Sequence, residues 1–243
     1  MKSAILEYDK CLDTRPANFN RLAQIYRWIE WLTFGPILWR CRCTFLGTMK
    51  DRRAALVIGD GDGRFTARLL ACNSKVTIEA VDASEAMLRQ LLQRAGENAG
   101  RVHARLADAR CPMPVTQDFD LVVTHFFLDC LNTAEVESLA VDIRRRLEFG
   151  ARWVISEFAV PANLYGRLFA QPLVSMLYRA FGLLTGLPVR RLPRYREALE
   201  RAGFVLGQER RSLKGLLVSE IWQATGTGSD ASKAHTGIFS RLY

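Results

Sequence analysis

From residue 54 onward the chain alternates short β-rich runs with helical stretches, and few architectures accommodate that rhythm. ALVIG (55–59) leads into RFTARLLAC, VTIEAVD (76–82) into SEAMLRQLLQRA, and FDLVVTHF (119–126) into AEVESLAVDIRRRL before RWVISEF (152–158). Strands that read as near-continuous apolar runs are buried on both faces, and their alternation with helices sets them parallel, with helices above and below. RYREALERAG (194–203) is helical, and FVLGQERR with GLLVSEIWQAT (215–225) reads as a final antiparallel pair. The predicted fold is therefore α/β, a Rossmann-like, doubly wound, mostly parallel sheet. At 243 residues the chain can bury one full-sized core but not two comfortable ones. The expected layout is an N-terminal helical cap (1–46), a sheet domain (47–225) with a helical lid insertion (161–190), and a disordered tail (226–243). Two helices divided at Gly35-Pro36 are predicted in the cap. Ser84 and Thr133 are placed to cap helices, and Gly150 follows a basic helix end at Arg144 to Arg146.

Directly after the first strand stands GDGDGR (59–64). In such a sheet the first strand-to-helix turn is where backbone comes closest to a ligand, and Gly59, Gly61 and Gly63 permit that approach. A dinucleotide fingerprint wants a third glycine at position 64, where Arg64 stands, and no Gly-Lys-Ser/Thr follows to make a phosphate loop. Asp60 and Asp62 would add like charge beside a pyrophosphate, whereas a cationic or zwitterionic ligand suits them. The second strand ends in Val81-Asp82, where a carboxylate can accept both hydroxyls of a ribose. The ligand expected is a nucleoside without phosphates, although each feature has a plainer reading: the glycines as a tight turn, Asp82 as a helix cap.

In order and spacing, four places resemble the class I S-adenosylmethionine-dependent methyltransferases. They are the loop from Leu56 to Gly63, VDASEAML (81–88), LADAR (106–110) and FDLVVTHFFLDCL (119–131). Phe19, Ala23, Tyr26, Phe34-Gly35 and Trp39 are similar to the cap of the small-molecule branch related to quinone-biosynthesis methyltransferases, so that the resemblance spans about residues 17 to 225. It implies a seven-stranded sheet and S-adenosyl-L-methionine as cofactor, with Gly59, Gly61 and Gly63 under the methionine portion and Asp82 on the ribose. Ala83 and Met87 would line the adenine pocket, and Asp108, with Ala109 beside it, would meet the adenine amino group. Thr124 and His125 would stand near the methionine moiety and the transferring methyl. Val57 occupies a place usually acidic in the family, which shifts the expected ammonium contact to Asp60, and Tyr26-Arg27 replaces the usual Tyr-Asp pair. If the acceptor must lose a proton, His125 and Asp129 are the nearby bases, though a lone histidine at a strand end also reads as a packed residue. Phe126 and Phe127 read as core.

The net charge of +9 suggests an anionic partner. The residues after the fourth strand, THFFLD, lack both the Asn/Asp-Pro-Pro-aromatic signature of amino methylation and a Pro-Cys nucleophile, so nucleic acid is not the expected substrate. A small apolar acceptor held between the cap and the lid is expected instead. Six cysteines without a C-x-x-C pair indicate neither zinc nor a disulfide framework. No signal-peptide core is visible, and the apolar stretch from Leu164 to Val189 is broken by Arg167, Pro172, Arg179 and Pro188. The expectation is a cytoplasmic protein that also touches anionic membrane at its periphery, because 158–196 carries arginines and aromatics without acids. Rival readings are a nicotinamide-dependent oxidoreductase, opposed by Arg64 and the acidic loop, and a nucleoside-binding or membrane-docking module without turnover.

Overall fold

A computed structural model describes residues 5–7, 35–111, 118–161, 163–164, 166–176 and 192–225. Eight strands form one sheet in the order β1-β4-β3-β2-β5-β6-β8-β7: β1 (Ile5–Glu7), β2 (Ala54–Ile58), β3 (Thr77–Asp82), β4 (Val102–Leu106), β5 (Phe119–His125), β6 (Leu147–Phe158), β7 (Phe204–Ser212) and β8 (Leu217–Ala224). The first six pair in parallel, while β8 runs antiparallel between β6 and β7. The seven-stranded Rossmann-like sheet expected from the sequence is present, with the three-residue β1 added at its edge. VHARL, which becomes β4, has two exposed or half-exposed polar positions and gave no comparable apolar run.

Helices that pack on the sheet are α1 (Gly35–Arg42), α2 (Arg64–Cys72), α3 (Glu85–Ala95), α4 (Thr133–Arg144) and α5 (Tyr195–Arg201), and a further helical segment spans 166–176. Strand periodicity sorts the core into two layers. Leu56, Ile58, Val122, Trp153, Ile155 and Trp222 meet α4 and α5 on one face. Ala55, Val57, Val123, Val154 and Ile221 meet Phe65 and Leu69 of α2 and Leu91 of α3 on the other. Each large side chain so buried contributes about 1.5–3 kcal/mol of transfer free energy. Helix α1 starts at the Gly35-Pro36 break and buries Leu38 and Cys41 against Phe126 and Leu217.

Two predicted boundaries move. Ser84 caps α3, its hydroxyl accepting from the Met87 amide. The cap of α4, however, is Asn132 rather than Thr133, and it forms a reciprocal capping box with Glu135; Thr133 is the first helical residue. Gly150 does not end α4 but lies inside β6 at φ 75°, because the chain turns at Arg145 and Arg146 and pairs with β5 from Leu147 onward. The first predicted cap helix, most of the lid and the tail fall outside the described residues. Among the described residues the five cysteines are free, no cluster fits a metal ion, and no helix is long and apolar enough to cross a membrane.

Candidate active site

Strands β3 and β5 flank β2 on opposite sides, so the carboxyl ends of the three open a crevice at the point where strand order reverses. The loop 59–63 crosses it. Gly59, Gly61 and Gly63 all hold left-handed backbone, at φ 68°, 63° and 77°, where an L side chain is strained. Their surroundings differ. A Cβ on Gly59 would strike the ring of Phe127, and one on Gly63 would lie 2.5 Å from the Leu91 Cα, whereas one on Gly61 would meet nothing within 4 Å. Gly59 and Gly63 thus close the loop onto its neighbours, and Gly61 faces open space.

The two loop acids also differ. Asp62 is paired with Arg64 and Arg94 at 3.1 and 3.0 Å. Asp60 accepts the Thr66 amide through Oδ2 at 2.8 Å, which ties the loop to the first turn of α2, while its buried Oδ1 has no hydrogen-bond partner. Burial pushes this carboxyl up to about 6, with Arg42 and the Thr66 bonds opposing the rise. Val57 itself is buried in the core.

Asp82 ends β3 and accepts the Ser84 amide at 2.9 Å, together with the amides of Gly61 and Ala83. One carboxylate therefore joins the glycine loop to the second strand. Burial still pushes it up to about 7, and Asp60 adds to the shift. Ala83 is exposed and Met87 half-buried on the adjoining face of α3. Asp108 lies beyond β4 and is held by Arg110, whose Nε contacts both carboxylate oxygens at 3.0 Å. Burial would raise Asp108, but its bonds with Arg110 outweigh that effect and lower it. Ala109 packs inward, in the layer that includes Leu128 and Leu131.

At the end of β5 the alternation of side chains separates the predicted neighbours. Thr124 is fully buried and its hydroxyl accepts the Trp153 indole N–H at 3.0 Å, so it serves the core and presents no surface to the crevice. His125 turns to the opposite layer, edge-on to Phe65 at 4.5 Å between ring centroids, and neither ring nitrogen has a hydrogen-bond partner. Burial and then the Arg42 charge hold it well below the usual histidine range, which keeps it neutral. Phe126 follows at φ 54° and donates its amide to the Ser156 carbonyl at 2.7 Å.

Asp129 stands in the short turn Leu128–Cys130. This turn is held by Glu157, which reaches from β6 to accept the Phe127 and Leu128 amides at 3.1 and 2.8 Å. Burial, then Asp129, pushes Glu157 well above the usual carboxylate range. The Cys130 thiol is likewise driven up, by burial first and then by the charges of Asp129, Glu157 and Asp82. Sequence reasoning missed Glu157 and Arg42: the first sits in an otherwise apolar strand and the second reads as an ordinary basic helix end. Arg42 is buried, with its guanidinium 5.5 Å from the Phe126 ring centroid. Acidic side chains thus stand at the ends of β2, β3, β5 and β6, with Glu157 buried and shifted toward its neutral form and Asp60 and Asp82 at the glycine loop.

Residues 55–150 match the family model described as a methyltransferase domain. No curated protein matches the chain in sequence. An O-methyltransferase family protein from Burkholderia thailandensis superposes with a TM-score of 0.66 at 16% identity, over 86% of this chain and 61% of that one. Human N-acetylserotonin methyltransferase, solved with S-adenosylmethionine, gives 0.58 at 15% identity, over 85% and 55%. A TehB-like S-adenosylmethionine-dependent methyltransferase from Corynebacterium glutamicum gives 0.58 at 16%, over 85% of this chain and all of that one. The chain thus spans less than two thirds of the first two structures. Its fold is theirs, and residues 55–150 match a methyltransferase domain. Within that domain lie the glycine loop, Asp82, Asp108 and Asp129.

Proposed function

We propose that this protein transfers the methyl group of S-adenosylmethionine to the oxygen of a small, largely apolar acceptor such as a phenol or a hydroxylated quinone precursor. The observation that carries the reading is the pairing of an open glycine, Gly61, with carboxylates that have no phosphate-binding counterpart. Asp82 offers its remaining lone pairs to ribose hydroxyls, and the unpartnered Oδ1 of Asp60 is an acceptor suited to an ammonium. These residues fit a sulfonium nucleoside and oppose a pyrophosphate. When bound, that cofactor supplies an electrophilic methyl on positive sulfur.

The rest falls to the chain. Alignment of acceptor and leaving sulfur supplies much of the acceleration in such a displacement. Asp129, held in place by the turn that Glu157 fixes, is the group assigned to take the acceptor's proton; buried His125 is a packing residue. Oxygen as the nucleophile is supported by the fold shared with the O-methyltransferase family protein from Burkholderia thailandensis. Calorimetric titration tests the reading: micromolar binding of S-adenosylhomocysteine and none of NADH is expected. Binding of NADH without S-adenosylhomocysteine would overturn it. Acceptors are then sought by methyl transfer to a panel of phenols and quinols.

A further inference from the structure

Strand β5 ends in a turn that its own residues do not favour. Phe126 leaves the strand at φ 54°, a backbone conformation that a bulky residue adopts only when its surroundings impose it. Here β6 imposes it. Three successive amides donate to the end of that strand, Phe126 to the Ser156 carbonyl at 2.7 Å, and Phe127 and Leu128 to Glu157 Oε1 at 3.1 and 2.8 Å. Leu128 and Glu157 are both buried, so solvent offers the Leu128 amide no substitute for that acceptor.

What the turn presents is the Phe127 ring. A Cβ built on Gly59 would stand 3.0 Å from the Phe127 Cγ and closer still to its Cδ2, so the ring lies directly on the first glycine of the loop. The Gly59 amide is held from the other side, by the Val81 carbonyl of β3 at 2.9 Å. Gly59 is therefore gripped between β3 and the turn after β5, and Gly63 is packed on Leu91, while Gly61 between them meets open space. The shape of the loop comes from its two ends. One of those ends depends on Glu157, which acts across β5 from a strand that does not pair with β2.

We propose that Glu157 is a positioning residue for the cofactor loop: by holding the Phe127 turn it keeps the ring seated on Gly59, and the seated ring keeps residues 59–63 in the shape that S-adenosylmethionine meets. The fit of that shape to the cofactor rests on the proposed function, whereas the hold of Glu157 on the loop does not. Burial, then Asp129, shifts Glu157 toward its neutral form. The turn thus needs an acceptor oxygen from it and no charge, and a glutamine should serve.

Two measurements test this, one of them without ligand. In the unliganded full chain, amide hydrogen exchange followed by NMR reports on the Gly59 N–H. Glu157→Ala and Phe127→Ala should each speed that exchange about tenfold or more, while amides in the middle of β5 and β6 keep their rates, and Glu157→Gln should stay within about threefold of wild type. In calorimetric titration with S-adenosylhomocysteine the same pattern is expected: about tenfold or more lost in each alanine variant, and less than about threefold in Glu157→Gln. Because ring and carboxyl act through one contact, the double alanine variant should bind within about threefold of the weaker single one, where independent losses would multiply to about a hundredfold. Phe127→Ala leaves the acceptor of Glu157 in place, so it is decisive even if Glu157→Ala does not fold. Wild-type Gly59 exchange in Phe127→Ala, multiplied losses in the double variant, or a Glu157→Gln protein as impaired as Glu157→Ala would overturn the proposal. A wild type that does not bind S-adenosylhomocysteine would count against the proposed function, and the exchange measurement would still decide whether Glu157 holds the loop.

Discussion

If Asp82 holds the ribose as proposed, it should couple ligand binding to pH in a window where most carboxylates are silent. Its carboxyl is pushed up to about 7 by burial, against the opposing bonds from Ser84, Gly61 and Ala83. A ribose that donates two hydroxyl hydrogens requires the ionised form, so affinity rises as the group deprotonates. One pH unit below the midpoint about a tenth of the sites is charged, and the dissociation constant of S-adenosylhomocysteine should be about tenfold weaker at pH 6 than at its plateau above pH 8. Asp60, at about 6, is itself half protonated at the lower end of that range and adds a smaller loss there. Asp82→Asn keeps an acceptor for the backbone amides but removes the charge. It should flatten the profile between pH 6 and 8 and weaken binding at pH 8 by about tenfold to a hundredfold, the worth of about 1.5–3 kcal/mol for charge-assisted bonds. The same substitution should raise the melting temperature of the ligand-free protein. A folded carboxyl raised above its unfolded value near 3.8 costs stability progressively as pH climbs from about 4 to about 7, and Asn carries no such cost. Titration calorimetry across pH 6–8 with thermal melts at pH 8 measures both effects. A wild type whose affinity ignores pH there, or an Asn variant that keeps the slope, would refute the role assigned to Asp82.

Gly63→Ala should lower thermal stability clearly, because its methyl would lie 2.5 Å from the Leu91 Cα at a left-handed position; an unchanged melting curve would contradict this. Gly61→Val has open space around it but the wrong backbone, so the expected result is loss of S-adenosylhomocysteine binding in calorimetry, and retained affinity counts against the loop as the ligand's floor. Once an acceptor is found, Asp129→Asn should reduce kcat by about a hundredfold or more, as for loss of a general base, while His125→Phe changes it less than about threefold if the ring only packs; the reverse pattern in steady-state kinetics would exchange the two roles. Trp153→Phe should cost about 1–3 kcal/mol in urea unfolding, since it strands the buried Thr124 hydroxyl, and an unperturbed midpoint would show that the bond carries no weight.

The sheet was legible because its strands are apolar on both faces, which only a layer between helices accommodates. What local pattern could not supply was the far side of each residue. Thr124 and His125 adjoin in sequence and were both placed at the ligand, but period-two alternation sends them into opposite layers, Thr124 beneath Trp153 and His125 onto Phe65. Asn132 displaced Thr133 as the helix cap because the Glu135 side chain closes a box with the residue three before it, not two. The amides that Asp82 accepts lie within its own turn and the loop before it, where local pattern reaches. Glu157 was missed, because its meaning depends on two amides about thirty positions upstream, brought near only when β5 and β6 pair.

The place of β8 has a consequence for the order in which the molecule is made. Until residues 217–224 leave the ribosome, β6 lacks its antiparallel neighbour, and Trp153 lacks Trp222, its partner in the β6–β8 register. Helix α1 waits as well, because the Cys41 carbonyl accepts the Ser219 hydroxyl at 2.9 Å from 178 positions away. The emerging chain therefore carries an unpaired, strongly apolar strand edge while the residues between β6 and β8 are made, a template for unwanted pairing. Interrupting translation before residue 217 leaves that edge permanently open, so such a fragment is expected to aggregate or be degraded rather than fold as a smaller domain.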